Sequence, residues 1–490
     1  MSNKSFKELK TLNNTDNLYD TDKLITETGV SFRDRVSTLD KKGNRNWVYP
    51  KKPSGKFHRW RIAVAVFLIS IMVILPFIKV NGNPFILLDV LQRKFIIFGV
   101  VFWPQDFHIF ALVFLTIVVF IVLFTAVYGR LWCGWACPQT IFMEMVFRKI
   151  EYWIEGDYNE QKKLAKSPMD GRKFLKKLAK HSIFITISLL ISNLVLAYII
   201  GIDRLKLMIT DGPFEHLATF AAVIGNAGVF YFVYSWFREQ ACTFVCPYGR
   251  LQSVLIDKNT VVVAYDYKRG EPRAKFKKVK EEGTGDCVDC GACVNVCPTG
   301  IDIRNGTQLE CVNCTACIDA CDEVMIKVNR PTKLIRYASI NNIEEGTKFK
   351  FTPRTILYTV ILFILLGIVV FLLTNRSQVD ATILKAKGST YQYTDDNHIA
   401  NIYTVTFINK SFEQLDLELK LLNINGTIKV IGDKELKITP GGLLDATILV
   451  EVNRKDIKET RNDIEIGLYN QNKLIQKIST GFTGPVPGMR

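Results

Sequence analysis

Five long apolar runs divide the chain, at residues 62–80, 107–128, 183–201, 214–237 and 355–373. Each is roughly 19–24 residues long, close to the roughly 20 that a helix needs to cross a bilayer. Residues 1–46 are polar, rich in Asn, Asp, Thr and Lys, and lack the periodicity that buries a core, so a disordered tail is expected there. No small-residue cleavage site follows the first run, which therefore reads as a signal anchor. Residues 83–101 are apolar but broken by Asp89, Arg93 and Lys94, which would be costly in hydrocarbon. That stretch is expected to be an interfacial or re-entrant segment rather than a sixth span.

After the fifth run the period changes. Short β-rich stretches at 401–408, 415–422, 428–431, 446–452, 464–468 and 473–479 are separated by turns such as Asn425-Gly426 and Gly441-Gly442. Leu415, Leu417, Leu419 and Leu421 alternate with Asp416, Glu418 and Lys420, the pattern of a strand with one face buried. An immunoglobulin-like β-sandwich is predicted, and it carries no cluster of catalytic side chains.

Composition agrees with a membrane body bearing polar appendages: 48% of residues are hydrophobic and 22% charged. The net charge of +16 does not indicate nucleic acid, because the basic residues crowd beside the apolar runs. Lys51, Lys52, Lys56, Arg59 and Arg61 precede the first run, while Arg148, Lys149, Lys162, Lys163, Lys173, Lys176 and Lys177 lie between the second and third. The positive-inside rule puts both segments in the cytoplasm and, counting spans, the C-terminal sandwich outside.

All twelve cysteines lie between Cys133 and Cys321, none in the exported tail where a disulfide framework would sit. The sharpest pattern is Cys287-x-x-Cys290-x-x-Cys293-x-x-x-Cys297-Pro298, followed by Cys311-x-x-Cys314-x-x-Cys317-x-x-x-Cys321. In the two-cluster bacterial ferredoxin pattern, three closely spaced cysteines wrap one [4Fe–4S] cluster and the fourth of each run ligates the other. Cluster one would use Cys287, Cys290, Cys293 and Cys321; cluster two would use Cys311, Cys314, Cys317 and Cys297. Paired zinc sites would not account for this three-plus-one sharing. Asp322 stands where a proline would follow Cys321, and a carboxylate there would favour the oxidised cluster.

A second pattern is duplicated. Cys133-Gly134-Trp135-Ala136-Cys137-Pro138 follows the first pair of runs, and Cys242-Thr243-Phe244-Val245-Cys246-Pro247 follows the second. The membrane core reads as an internal duplication with four thiols at its cytoplasmic mouth. Pro138 and Pro247 bias the preceding cysteines away from helix. Clustered thiolates suit Cu(I), zinc or a further iron–sulfur centre, and paired thiols can also form a disulfide. His108 and His216 open the second and fourth runs in similar register and read as interfacial polar residues; copper, haem or a quinol headgroup is the sharper alternative. Trp103, Trp132, Trp135, Trp153 and Trp236 at run ends read as an aromatic belt.

From about residue 44 onward the chain resembles the CcoG family, also called FixG or RdxA, of accessory proteins of cbb-type cytochrome c oxidase. The resemblance rests on Trp103-Pro104-Gln105-Asp106-Phe107, on residues 129–140 and 238–250, and on Cys297-Pro298-Thr299-Gly300-Ile301-Asp302 with Cys317-Ile318-Asp319-Ala320-Cys321-Asp322-Glu323. Asp322 belongs to that family's own pattern. NapH-like membrane ferredoxins share the hairpins, both CxxxCP motifs and the clusters, but lack the fifth span and the sandwich.

The expected organisation is a cytoplasmic tail (1–46), a four-helix membrane core (47–257), a cytoplasmic 2[4Fe–4S] ferredoxin-like insert (258–350), a fifth span (351–374) and a periplasmic immunoglobulin-like domain (375–490). The resemblance implies reduction of Cu(II) to Cu(I) during oxidase assembly. Cys133, Cys137, Cys242 and Cys246 would be the copper-handling or redox thiols. The partners would be membrane lipid, copper ions, an unidentified electron donor, and oxidase assembly factors or copper transporters. Two rivals stand beside this reading: a quinol-linked subunit of another respiratory enzyme, and a copper-binding assembly scaffold with structural clusters.

Overall fold

The computed structural model describes residue 38 and most of residues 44–485, apart from 81, 91–93, 104–105, 213, 277–281, 309, 347–351, 378, 387, 389, 396, 412, 433–435 and 458. The expected tail at 1–46 lies almost wholly outside the described residues, as do Arg93, Pro104 and Gln105. The chain forms two compact units, residues 1–75 with 113–366 and residues 76–112 with 367–490.

Five helices are long and apolar enough to cross a membrane: Lys56–Phe77, Phe107–Tyr128, Gly171–Ile200, Leu217–Phe237 and Pro353–Thr374. The second matches its apolar run. The first and third begin earlier than their runs because charge does not stop a helix that has left hydrocarbon. The third, at 30 residues, extends about 45 Å, and its basic first half lies beyond what a bilayer core accommodates. Asp170 caps it, its Oδ1 accepting from Lys173 N at 2.8 Å.

In the first unit, the third and fourth spans join through small polar groups: Ser192 Oγ donates to Val223 O at 2.9 Å and Asn226 Nδ2 donates to Ser192 Oγ at 3.2 Å. An aromatic core of Phe142, Phe147, Phe184 and Tyr234 packs where the CxxxCP segments emerge. The ferredoxin-like insert has its own core, including Val263, Tyr265, Ile318, Met325, Leu334 and Ile335. Its flanking strands, Val262–Tyr265 and Ile335–Ala338, pair antiparallel with Val262 opposite Ala338.

In the second unit the segment expected to be interfacial or re-entrant forms a small antiparallel sheet of Ile86–Asp89, Lys94–Ile97 and Val100–Phe102. Asp89 pairs opposite Lys94 at one end of the first two strands, while Leu87, Ile96 and Val101 are buried against Trp103. A two-residue side-chain alternation governs these strands, with Leu87 and Ile96 turned to the buried face. The C-terminal region is the predicted sandwich. One sheet contains 426–430, 443–453, 398–409 and 379–385, with 392–395 paired to 398–409; the other contains 437–438, 415–421, 461–470 and 473–483. Tyr403, Phe407, Ile448, Val450, Ile464, Ile466 and Phe482 fill the space between them.

Candidate metal centre

The two cysteine-rich loops have the same backbone device. Asp289 and Gly291 in the first, and Asn313 and Thr315 in the second, have positive φ of 48°, 66°, 53° and 63°. These occupy matching positions of Cys-x-x-Cys-x-x-Cys. Left-handed residues turn the chain tightly enough for three cysteines to face one point, and outside glycine they cost roughly 1–2 kcal/mol. The Asn313 and Ala316 backbone N–H groups meet the Cys311 and Cys314 sulfurs.

Each loop lines a hollow. Cys287, Cys290, Cys293 and Cys321 surround one, walled by Tyr265, Met325, Leu334 and Ile335. Cys297, Cys311, Cys314 and Cys317 surround the other with Val263, Ile301, Ile303 and Val312, and Cys293 borders both. Burial pushes the Cys293, Cys311 and Cys321 thiols up to about 12 and Cys314 to about 11. Such thiols keep their protons near neutral pH unless a metal replaces them. Among the described residues no three His, Cys, Asp or Glu side chains close on one point as a single ion requires. Four thiols around an apolar hollow fit a multi-iron cluster rather than one zinc ion.

The CxxxCP turns are built alike. Cys133 lies in the short helix Leu131–Trp135, Cys137 is extended (ψ 124°), and Pro138 begins the next helix. Cys246 is likewise extended (ψ 111°) before the helix Pro247–Leu255. Proline is favoured at a first helical position, where no N–H is needed. The four thiols are neighbours. Burial pushes Cys242 up to about 12, with Cys137, Cys133 and Cys246 each adding to the shift. Burial also pushes Cys133 up to about 11, against a hydrogen bond from Gln252 Nε2 at 3.4 Å.

The first turn lies directly on the second cysteine loop. Cys133 packs against the group formed by Val296, Val312, Cys314 and Ala316. A Cβ at Gly134 would come within 2.4 Å of Val312 O and 2.8 Å of Asn313 O, so only glycine permits this approach. Trp135 Nε1 donates to Tyr337 Oη at 3.0 Å, so this tryptophan is a contact with the insert and not part of an aromatic belt. Trp103 packs against Leu87, Ile96 and Val101 of the small sheet, whereas Trp132, Trp153 and Trp236 are exposed.

Sequence reasoning missed the charged groups around this junction. Arg61, counted as a topology signal, is 4% exposed and donates from Nε to Gly134 O at 3.0 Å. A charge inside a spanning helix was the available signal. Arg148 Nη2 donates to Pro298 O at 3.1 Å, beside Cys297, and the same guanidinium pairs with Glu144 at 2.5 Å and Glu239 at 3.3 Å. Glu151 joins Arg238 and Lys180. Burial raises the Glu151 carboxyl, but Arg238 and Lys180 outweigh that and hold it below the usual range. Asp319 of the helix Ala316–Lys327 accepts from the Phe57 and His58 N–H groups at 3.1 and 2.8 Å, capping the first span from the insert.

The histidines do not join this site. His108 is exposed; His216 pairs with Asp211 at 3.3 Å beside an apolar pocket that includes Asn193, Leu196, Phe220 and Ile224.

Two four-cysteine hollows, in an insert between membrane-crossing helices, define a multi-pass membrane iron–sulfur electron-transfer protein. Residues 110–156 match the model of a 4Fe-4S binding domain, 237–340 that of a 4Fe-4S dicluster domain, and 369–485 that of the Ig-like fold at the C-terminal of FixG. Protein RdxB of Cereibacter sphaeroides is 35% identical, the match covering 77% of this chain and 82% of the relative. Nitrogen fixation protein FixG of Rhizobium meliloti is 31% identical over 84% of this chain and 85% of its own length, and RdxA of C. sphaeroides is 34% identical over 75% and 81%. The chain belongs to the FixG/RdxA (CcoG) family. A crystal structure of a FixG-related protein from Vibrio parahaemolyticus aligns with 22% of this chain and 97% of its own, at 16% identity and a TM-score of 0.19.

Proposed function

We propose that this protein passes electrons from its ferredoxin-like insert to copper at the four CxxxCP thiols, reducing Cu(II) to Cu(I) for assembly of a cbb-type cytochrome c oxidase. The observation that carries this reading is the packing of Cys133 on the Val312–Cys314–Ala316 loop. Cys287, Cys290, Cys293 and Cys321 would hold one [4Fe–4S] cluster, and Cys297, Cys311, Cys314 and Cys317 the other. When bound, such clusters supply low-potential one-electron transfer. The chain's own residues do the rest. The apolar walls around each hollow exclude water, Arg148 and Asp319 hold the insert on the membrane core, and soft thiolates at Cys133, Cys137, Cys242 and Cys246 retain Cu(I) as it forms. The five spans and the basic flanks support an inner-membrane placement with the insert cytoplasmic and the sandwich periplasmic.

The test is anaerobic. The detergent-purified chain is reconstituted and reduced, one equivalent of Cu(II) is added, and cluster reoxidation is followed beside a Cu(I) indicator. The comparison is a variant with serine at all four CxxxCP positions and full cluster occupancy. Coupled Cu(I) formation, lost in the variant, is expected; reduced clusters indifferent to Cu(II) would overturn the proposal.

A further inference from the structure

The two cysteine hollows differ in exposure, in neighbours and in the charges beside their sulfurs. Among the described residues, which include all twelve cysteines, Cys290 is the exposed one. It belongs to the hollow of Cys287, Cys293 and Cys321. The hollow of Cys297, Cys311, Cys314 and Cys317 is the one in contact with the first CxxxCP turn: Cys133 packs on the group of Val296, Val312, Cys314 and Ala316, and the Gly134 turn rests on Val312 and Asn313. Cys293 borders both hollows, so the two are adjacent.

The charges are divided in the same sense. Around the first hollow three carboxylates stand against one guanidinium: beside the effect of burial, Arg304 lowers the Cys293 thiol and Asp302 raises it by less, while Asp322 raises Cys321 and Asp289 pairs with Arg304. The local cation, Arg304, is engaged by Asp302 at 2.7 Å and Asp289 at 2.6 Å. At the second hollow the nearest charges are two buried arginines. Arg61 donates to Gly134 O, on the turn that rests on this loop, and its charge lowers the Cys314 thiol, while the charge of Arg130 lowers Cys311 and Cys133. Acids are present there too: Glu144 acts weakly on Cys314 but is paired with Arg148, and Glu310 lies near Arg130. Positive charge close to a site favours its reduced form and negative charge its oxidised form, the more so when the charge is buried.

We propose that electrons enter through the hollow of Cys287, Cys290, Cys293 and Cys321 and leave through that of Cys297, Cys311, Cys314 and Cys317. Arg61 is the positioning residue that makes the second hollow the higher-potential site. This rests on the reading that these cysteines hold clusters and that the CxxxCP thiols are the working end. One electron at a time passes from a reduced low-potential one-electron carrier protein at the Cys290 face to the first site, then to the second, and converts one Cu(II) to Cu(I); no bond is made or broken within the chain. Each transfer therefore runs toward higher potential, and the exposed site meets the donor while the covered one meets the thiols.

The test is a redox titration of the full chain in detergent, with both clusters present, followed by electron paramagnetic resonance. It uses no copper, so it reads this order whether or not Cu(II) proves to be the acceptor. Two midpoints are expected. Arg61→Gln should lower the higher one and leave the lower in place, with Arg61→Lys restoring it; Asp322→Asn should raise the lower one alone. The order is overturned if Arg61→Gln moves the lower midpoint or neither, or if Asp322→Asn moves the higher. Should Arg61→Gln fail to assemble, Asp322→Asn decides by the same rule.

Discussion

Gly134 shows how much of the site depends on a missing atom. Its backbone lies so close to the carbonyls of Val312 and Asn313 that a methyl group would meet them at 2.4 and 2.8 Å. Those carbonyls belong to a loop fixed by left-handed residues on either side of Cys314, so it gives way poorly. Gly134→Ala should destabilise the junction by about 1–3 kcal/mol, the usual result of overpacking. It should also slow cluster reoxidation by Cu(II) at least tenfold while iron content stays at the wild-type level. Stopped-flow absorbance with iron analysis on the same sample checks both, and an unchanged rate would show that the approach of Gly134 does not set the hand-over.

At the scale of elements, the first span borrows its cap. Gly55 precedes the helix and offers no side chain; Asp319 from the insert accepts the two N–H groups instead and meets the positive end of the helix dipole. Asp319→Ala should cost about 1–2 kcal/mol, the range of a lost N-cap. Its local sign would be faster amide exchange at Phe57 and His58, checked by hydrogen exchange in detergent; unchanged exchange there would mean the cap is not what holds the insert. The CxxxCP elements were legible in the sequence through their prolines, which set Cys137 and Cys246 in extended backbone. Their π-helical neighbours, Phe142–Phe147, Val233–Phe237 and Ala241–Val245, were not. An extra residue in a turn leaves no compositional mark.

At the scale of the whole molecule, the second unit is locked by one buried carboxylate. Asp106, just before the second span, pairs with Lys410 at 2.6 Å and Arg376 at 2.5 Å, tying the segment ahead of that span to the C-terminal domain within that unit. Burial alone would raise the Asp106 carboxyl, but Lys410 and Arg376 outweigh it and hold the group below the usual range. A depressed folded-state value stabilises above the ordinary carboxylate pKa, and the contribution is lost as pH falls through the depressed value. Asp106→Asn should therefore cost on the order of 3 kcal/mol at neutral pH, since it takes the carboxylate from buried Arg376 and leaves Lys410 with Asp380 alone. It should also flatten the loss of stability on acidification. Thermal unfolding of the full chain between pH 3 and 7, roughly the window around that carboxylate pKa, checks this. A variant as stable as the parent at neutral pH would remove Asp106 as the lock.

The sequence by itself determined the five spans, the sandwich and both cysteine patterns, because each depends on local periodicity or short-range spacing. Apolar length dictates a membrane helix, alternation dictates a strand, and loop-sized gaps dictate how many sulfurs can face one point. Tertiary structure alone decided that Cys133 rests on the Cys311–Cys317 loop and not on the Cys287–Cys293 loop. It also decided that Arg61 turns inward, that Trp135 belongs to a junction, and that Asp319 caps a helix 261–262 residues away. Each of these is a contact between segments distant in the chain. Such contacts are selected by packing and by the need to satisfy buried polar groups, and neither leaves a periodic trace along the sequence.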